Sequence, residues 1–397
     1  MDYLVPDWAN AALVLIDVQN DFVSGPAAVP GTAERLPAMA RAARTFRESA
    51  RPIVHVVRSY RPGESDVDLL RRAGIERGDA VVEPGTPGAL IAVELGAPAV
   101  DLDWASLRFG AVQQIGPAEY VLYKPRWSAF HRTALDEFLS DHDVTTVVVA
   151  GCNLPNCPRA TLFDASERDY RTVLVTDATS QTTPERVADL AAIGVQTRTA
   201  QEVADAVRAD ETLGLAESLW VSVAGDLDDG MLDAAGGCDG WTVRDLVNHV
   251  IGGAERYALL LDGADAAATA ATRGRDYLAR EGAGDGGVDV FWDCEHRFRE
   301  AAERADPNAL VDHVAGRRPG AALTVMRVME LTLHSRDLAV ALGTPWSPPT
   351  ALVDAVLAEA ADVIDELRAA GYFGPALDPV SDDPGDRLLA FAGRRGR

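Results

Sequence analysis

Asp17, Lys124 and Cys157 are residues of the types that act together in nucleophilic catalysis. A cysteine thiolate attacks carbonyl carbon, a carboxylate can take the thiol proton, and an ammonium group can hold the resulting charge. Collapse of the tetrahedral intermediate expels an amine and leaves a thioester, which water hydrolyses. Backbone N–H groups of the 153–157 turn would stabilise the oxyanion. The three residues therefore predict a cysteine hydrolase.

Lys124 is the only lysine among the 37 lysine and arginine residues of the chain. The two cations are nearly interchangeable on a solvated surface, but not where chemistry needs a compact amine. A single lysine has to occupy some position by chance. A basic position chosen at random would, however, rarely lie inside a catalytic motif. We therefore interpret Lys124 as functional, whereas Cys152, at the end of a strand, is interpreted as apolar filler.

Short apolar strands alternate with helices over the first half of the chain. We predict strands at 11–17, 53–58, 120–124, 145–151, 172–177 and 195–198, and helices at 33–48, 133–140, 158–169 and 184–193. Continuously apolar strands predict a mostly parallel sheet with helices on both faces, which is an α/β three-layer sandwich. The segment from about 60 to 118 is rich in Gly and Pro and is interpreted as irregular.

The three reactive residues each lie at or after the carboxyl end of a predicted strand. In a parallel sheet these ends meet at one edge, where ligands bind, so one cleft can hold all three side chains. Pro158 suits the first turn of a helix and places Cys157 at a helix N-terminus. The helix dipole at that position favours a thiolate.

The second half of the chain has a different pattern, with long segments rich in Ala and Leu at helical spacing. We predict helices at 215–236, 242–262, 288–305, 321–342 and 350–370, with no convincing strand among them. A stretch of Gly and Asp at 282–287 separates two of these helices. The pattern predicts an all-α bundle. The predicted domains are therefore 1–210 and 215–397, joined by a short linker at about 208–214.

His249, Glu330 and His334 are the polar residues that stand out in the helical half. The i, i+4 spacing places Glu330 and His334 on one helical face, which otherwise carries apolar residues. Two imidazoles and a carboxylate in a bundle core would suit a divalent metal, with a further position open to water or a thiolate. From spacing alone, a buried hydrogen-bonded cluster or a solvated stripe is the favoured interpretation.

The composition limits the classes of partner. Hydrophobic residues make up 47% of the 397 residues, no apolar run approaches the ~20 residues of a membrane span, and the N-terminus lacks a signal-peptide pattern. We therefore expect a cytoplasmic protein, in which four cysteines are too sparse for a disulfide framework. The net charge of −24 disfavours nucleic acid and anionic membranes, so a small-molecule substrate is the expected partner.

Residues from about 10 to 208 resemble the isochorismatase-like cysteine hydrolase family, which includes nicotinamidases and amidohydrolases of carbamoyl and ureido compounds. The resemblance lies in the segments IDVQNDF, YKPRWSAF, GCNLPNCPRATLFDASERDY and LVTDATS. It implies that Asp17, Lys124 and Cys157 form the family's catalytic triad. It also implies a cis peptide between Cys152 and Asn153, which would direct the N–H groups of Asn153 and Cys157 toward the oxyanion.

The sequence also departs from the nicotinamidases, which carry an Asp-x-His metal site after the second strand. The corresponding stretch, HVVRSYRPGES, has no such pair, and His55 falls within the strand. We therefore expect no cofactor in this domain and a substrate other than nicotinamide. True isochorismatases need no cysteine nucleophile, so Cys157 favours a small amide, carbamoyl or ureido substrate. The alternative is an isochorismatase-type hydrolase of a non-amide small molecule.

Several side chains near these motifs are candidates for the substrate pocket, although ordinary loop packing and surface charge explain them equally well. They are Gln19, Phe22, Arg58, Tyr60, Arg126, Trp127, Phe130 and His131. Because members of the family are often oligomers, the resemblance leaves room for a homo-oligomer.

Residues from about 215 to 395 resemble the DinB-like fold of the mycothiol-dependent maleylpyruvate isomerase relatives. The resemblance lies in GWTVRDLVNHV, MELTLHSRDLA and DRLLAFAGR. It implies that His249, Glu330 and His334 bind a divalent metal, usually zinc, and it leaves room for mycothiol. The helical domain is then a metal-binding module, an isomerase or transferase that uses mycothiol, or a purely structural module.

Overall fold

The computed structural model describes residues 3–64, 66–225, 227–238, 240–279, 287–314 and 316–395. The chain divides into two compact units, one of residues 3–210 and the other beginning at Glu211. The linker expected at 208–214 is helical, because helix α8, Ala200–Ala224, runs through it. Its Ala, Arg and Glu residues are strong helix formers, and the isolated Gly214 is tolerated. Most of the break expected at 282–287 lies outside the described residues.

The first unit contains a seven-stranded sheet within the described residues, in the order β3-β4-β2-β1-β5-β6-β7. All neighbouring pairs are parallel except β3 with β4. The strands are β1 Ala11–Ile16, β2 Ile53–Val57, β3 Val112–Gly116, β4 Glu119–Tyr123, β5 Thr146–Gly151, β6 Arg171–Thr179 and β7 Gln196–Arg198. The predicted mostly parallel sheet is confirmed.

Strand β1 is buried along its whole length, which shows why its sequence is continuously apolar. Leu13 and Leu15 pack in one core cluster, and Val14 and Ile16 pack in another on the opposite face. Alternate side chains of a strand point to opposite faces, so a strand covered on both sides needs apolar residues at every position. The three-layer sandwich is therefore present.

The helices of the first unit supply the two outer layers and the loops around the sheet edge. They are α1 Asn20–Val23, α2 Leu36–Glu48, α3 Leu69–Glu76, α4 Trp104–Arg108, α5 Leu135–Asp141, α6 Cys157–Ser166 and α7 Pro184–Ala191. The segment expected to be irregular, 60–118, thus contains α3, α4 and the antiparallel edge strand β3. The sequence of β3, VQQIG, lacks an apolar run because only Ile115 is buried in it.

The second unit is helical. Its helices after α8 are α9 Val243–Leu261, α10 Ala266–Ala271, α11 Val288–Arg304, α12 Ala321–Leu342, α13 Thr350–Glu359, α14 Ala361–Ala369 and α15 Pro384–Phe391. The predicted bundle is confirmed, and Thr242 opens α9 through a capping box with Asp245. Among the described residues, no helix is long and apolar enough to cross a membrane.

Three details of the second unit differ from the sequence prediction. Strands β8, Leu310–His313, and β9, Gly316–Pro319, form a small antiparallel hairpin. The helix expected over 215–236 ends at Ala224, and the helix expected over 350–370 is divided at Ala360. The hairpin was missed because its strands are short and largely exposed, and they carry no apolar alternation.

Gly151 gives a testable link between the sheet and the site. It has φ +122°, and a Cβ there would overlap the carbonyl oxygen of Ile16 on β1. We expect Gly151→Ala to destabilise the protein by more than ~2 kcal/mol, measured from its thermal transition, because both backbone strain and overlap must be relieved. Gly110→Ala is the matched control, since Gly110 also has positive φ but no atom within 4 Å of its Cβ position. Equal losses in the two variants would contradict the overlap argument.

Candidate functional site

Three strand ends bring Asp17, Lys124 and Cys157 together. Asp17 follows β1 and Lys124 follows β4, and their backbone N–H groups both donate to β2, at Val56 and Val57. Cys157 opens α6, with Pro158 in its first turn, after the loop that follows β5. The sheet thus fixes the carboxylate and the amine, whereas a loop and a helix start fix the thiol.

Asp17 and Lys124 form a buried ion pair. Lys124 Nζ lies 2.8 Å from Asp17 Oδ2 and also donates to the carbonyl oxygen of Arg126 at 3.3 Å. Lys124 is fully buried and Asp17 is 4% exposed. The other carboxylate oxygen, Oδ1, has no hydrogen-bond partner within the described residues. Lys124 therefore holds one oxygen of Asp17 and leaves the second available to accept a proton.

Cys157 is buried in the same site, and its thiol is held in the neutral form. Burial raises the pKa of Cys157, and the negative charge of Asp17 raises it further, against the opposite effect of Lys124 and Arg58. Burial and the adjacent carboxylate thus act against the effect expected of the helix N-terminus, which favours a thiolate.

Arg58 is a buried cation directly beside the thiol. Its Nη2 lies 3.8 Å from Cys157 Sγ, its Nε lies 3.9 Å from Asp17 Oδ1, and its Nη1 lies 3.0 Å from Asp68 Oδ2. Burial opposes the charge of Arg58, but neighbouring groups that include the two carboxylates outweigh burial and raise its pKa. Asp68 also accepts a hydrogen bond from Tyr60 at 2.8 Å.

The turn before Cys157 contains the peptide bond that the resemblance implied. The bond between Cys152 and Asn153 is cis. The Asn156 N–H donates to the carbonyl oxygen of Asn153 at 3.0 Å, which closes the turn. For the N–H groups of Asn153 and Cys157, the structure records no acceptor among the described residues.

A cavity of about 50 Å³ opens over these groups. Four of the predicted pocket residues line it: Phe22, Arg58, Tyr60 and Trp127. Arg126 and His131 line an adjoining, more open cleft that shares Trp127 with the first. The remaining lining residues are Asp17, Val29, Asp68, Leu70, Arg71, Cys152, Asn153, Asn156 and Cys157.

Two residues expected at the pocket lie behind it. Gln19 is buried, and its amide group binds the backbone of Arg58 through both its oxygen and its nitrogen. Phe130 packs in the core beneath α6, with the Arg168 guanidinium over its ring. Gln19 therefore positions Arg58 rather than facing the cavity, and Phe130 is a core residue because its ring is 5% exposed.

The helical unit contains a separate cluster of three metal-ligand types. Ligand atoms of His249, Glu330 and His334 all lie within 4.8 Å of one another. His249 Nε2 is 3.1 Å from Glu330 Oε1, while Arg327 binds Oε2 of the same carboxylate at 2.7 Å. One carboxylate oxygen and two imidazoles therefore converge, a donor set that fits a divalent metal such as zinc with an open position.

Asp337 orients one of these histidines. His334 Nδ1 lies 3.0 Å from Asp337 Oδ2, and Arg394 binds the same carboxylate through two nitrogens at 3.1 and 2.8 Å. Cys238 Sγ is 3.3 Å from Asp337 Oδ2. A carboxylate on the far nitrogen of a ligating histidine is a common support in metal sites, since it fixes the ring and its tautomer.

Comparison with known proteins connects both sites to families. The isochorismatase domain model matches residues 11–102 and 109–206. A probable inactive nicotinamidase of Arabidopsis thaliana is 35% identical over 202 residues, which cover 49% of this chain and 95% of the relative. The chain belongs to the isochorismatase family. Its isochorismatase domain is followed by a match to the mycothiol maleylpyruvate isomerase N-terminal domain over residues 213–339.

Other relatives match the isochorismatase domain as well. A ureidoacrylate amidohydrolase of Methylobacterium radiotolerans is 28% identical over 207 residues, covering 48% of this chain and 75% of the relative. Among solved structures, an isochorismatase family protein from Desulfovibrio vulgaris is 35% identical and covers 49% of this chain and 97% of its own, with a TM-score of 0.43. The protein is thus an isochorismatase-family hydrolase fused to a second family domain.

Sequence reasoning missed the part of the isochorismatase domain that closes the cavity. Asp68, Leu70 and Arg71 lie at the start of α3 and line the cavity. They fall in the segment interpreted as irregular, where no strand end directed attention to them. The signal in the sequence was the run DLLRR, with paired leucines and arginines, but it has the composition of any exposed helix.

The raised pKa of Cys157 predicts the reactivity of the free isochorismatase domain. Only the thiolate reacts with iodoacetamide, so a raised pKa shifts the reaction to higher pH. We expect alkylation of Cys157 at pH 7 to be slower than that of free cysteine, and to increase with pH through a midpoint above the ordinary thiol pKa of ~8.5. Mass spectrometry of the Cys157 peptide measures the rate. A midpoint below that of free cysteine would show that the helix start dominates.

Proposed function

We propose that the isochorismatase domain is a cysteine amidohydrolase that cleaves a C–N bond of a small amide, carbamoyl or ureido compound through a thioester. The observation that carries the proposal is the Asp17 carboxylate. It is held by Lys124 through one oxygen, and its other oxygen lies beside Arg58 and Cys157 with no hydrogen-bond partner among the described residues. A buried base next to a neutral thiol is the arrangement that activates a nucleophile when substrate arrives.

Acylation begins with transfer of the Cys157 proton to Asp17 as Sγ attacks the substrate carbonyl carbon. Lys124 and Arg58 stabilise the charge that remains, because both cations lie in the dry site beside the reacting atoms. The N–H groups of Asn153 and Cys157 receive the oxyanion. The intermediate then collapses, the C–N bond breaks, and Asp17 returns its proton to the departing nitrogen.

Deacylation uses the same residues in reverse order. Asp17 takes a proton from water, which attacks the thioester carbonyl, and the oxyanion again lies against the two N–H groups. When the C–S bond breaks, the proton returns from Asp17 to Sγ, so the enzyme regains a neutral thiol. The raised pKa of Cys157 agrees with this cycle, since the proton leaves Sγ only during the attack.

A dormant triad is the competing interpretation, since the Arabidopsis relative is named a probable inactive nicotinamidase. Here the carboxylate, the amine and the thiol are all present, and the amine contacts the carboxylate at 2.8 Å. The relatives that act on amides include a ureidoacrylate amidohydrolase and a maleamate amidohydrolase. These observations support an active hydrolase rather than a binding domain.

The proposal is tested with a panel of small amides, carbamoyl and ureido compounds, following ammonia release by the full chain. We expect Cys157→Ala to reduce turnover by at least ~10³-fold, the scale of removing a nucleophile. Cys152→Ala is the matched control because Cys152 lines the same cavity, and burial raises its pKa to about 12. We expect Cys152→Ala to retain turnover within about tenfold.

Two results would contradict the proposal. Turnover that survives in Cys157→Ala would exclude this thiol as the nucleophile. No ammonia release from any member of the panel, together with no covalent adduct on Cys157, would support the dormant interpretation instead.

We further propose that the helical unit binds one divalent metal through His249, Glu330 and His334. The proposal rests on the convergence of three ligand atoms and on the support that Asp337 gives to His334. When bound, such a metal would supply a Lewis acid and a site for a thiol or water. Arg327 keeps one oxygen of Glu330 occupied, so the residue would offer the metal its other oxygen.

Metal binding is measured on the full chain, stripped with a chelator and titrated with zinc against a chromogenic competitor. We expect one zinc per chain in the wild type and at least ~100-fold weaker binding in His249→Ala, because one of three protein ligands is lost. His296→Ala is the control, since His296 is exposed on α11 and stacks on Trp292. Absence of stoichiometric zinc from the wild type would favour a purely structural module.

A further inference from the structure

One cation that lines the cavity has no carboxylate partner among the described residues. The lining side chains include two carboxylates, Asp17 and Asp68, and two guanidinium groups, Arg58 and Arg71. Asp17 is paired with Lys124 and Asp68 with Arg58. Arg71 has no such partner, because the described residues include no carboxylate within ion-pair distance of its guanidinium. The cavity therefore presents one cation that has no carboxylate partner among the residues that the structure describes.

The chain carries 61 acidic residues against 37 basic ones, so carboxylates are in excess. The other cations around the site are all engaged. Arg58 contacts Asp68, Lys124 contacts Asp17, and Arg126 lies 3.7 Å from Asp66. The guanidinium of Arg71 faces the cavity and has no carboxylate partner among the described residues, so it is available for an anion from outside.

Arg71 is also held in a defined place. Its Cζ lies 5.3 Å from the centre of the Phe22 ring, and both side chains line the cavity. The ring face holds the guanidinium at the cavity, and no hydrogen-bond acceptor is recorded for its N–H groups among the described residues. This planar fork matches a carboxylate, to which arginine commonly donates two parallel hydrogen bonds.

We propose that Arg71 binds a carboxylate of the substrate, so that the enzyme acts on small amides that also carry a carboxylate. This inference rests on the proposed amidohydrolase function and names its substrate class. Arg71 is then the residue that determines specificity, while Asp17, Lys124 and Cys157 carry out the bond cleavage.

The size of the cavity favours a small substrate. Its volume is about 50 Å³, and Cys157 and Arg71 both line it. A small amide in which a short chain joins the scissile carbonyl to the carboxylate fits this arrangement.

Two pairs of amides test the proposal, each differing in a carboxylate against a methyl group: succinamate with butyramide, and maleamate with isocrotonamide, the cis isomer of crotonamide. We expect the wild type to prefer the carboxylated member in kcat/KM. Arg71→Gln should lower that preference by roughly 10- to 100-fold, the range for a lost charge-assisted hydrogen bond, with little change for the uncharged amides. Arg71→Lys should restore part of the preference, since it keeps the charge but loses the fork.

Arg72→Gln is the matched control. Arg72 is the next residue of α3, binds the carbonyl oxygen of Val67 and does not line the cavity. The Arg72→Gln substitution removes the same charge from the same helix as Arg71→Gln. A preference that is unchanged in Arg71→Gln, or lowered equally in Arg72→Gln, overturns the proposal while leaving the amidohydrolase function intact.

Alkylation separates this inference from the proposed function, because it needs no turnover. At pH 8.5 the thiolate of Cys157 displaces iodide from iodoacetate or from iodoacetamide, which differ in a carboxylate against an amide. The measured quantity is the rate with iodoacetate divided by the rate with iodoacetamide, normalised to the same ratio for free cysteine. We expect this normalised ratio to fall about tenfold or more in Arg71→Gln but not in Arg72→Gln. If no amide is hydrolysed, the proposed amidohydrolase function is contradicted, but the ratio still tests whether Arg71 binds a carboxylate. An unchanged ratio in Arg71→Gln would contradict that role of Arg71.

Discussion

The buried ion pair between Asp17 and Lys124 is the interaction on which the rest of the site depends. Their Nζ and Oδ2 atoms are 2.8 Å apart and largely excluded from water. Removing one partner would leave an uncompensated buried charge, which costs several kcal/mol, so each residue requires the other. The pair also explains why arginine does not replace this lysine: Nζ must fit between a carboxylate and the carbonyl oxygen of Arg126.

Around this pair the site is arranged to keep the thiol neutral until it is needed. Asp17 disfavours a second negative charge next to it, and burial acts in the same direction, so the pKa of Cys157 is raised. Arg58 limits that effect from the other side, and Gln19 fixes its backbone. In the proposed mechanism the same carboxylate both disfavours the thiolate and takes the proton, which would link activation of the nucleophile to arrival of the substrate.

The sequence was sufficient where an element is both regular and buried. Asp17 and Lys124 could be placed because apolar strands end at them, and the cysteine because Pro158 follows it. The elements that were not predicted are β3, the β8–β9 hairpin and α3, because their residues are half-exposed. The position of α3 at the cavity depends on the tertiary fold and not on local sequence pattern. Arg71 of this helix contacts Phe22, which comes from another part of the chain.

The pKa of Cys157 shows a further limit of reasoning from local sequence. A cysteine at a helix start suggests a thiolate, because the dipole is a property of the helix alone. Desolvation and the approach of Asp17 depend on strands distant in sequence, and both raise the pKa of Cys157 against that expectation. The cluster of His249, Glu330 and His334 is the contrasting case, because the i, i+4 spacing already placed Glu330 and His334 on one face. Only the packing of α9 against α12 was needed to bring His249 to them.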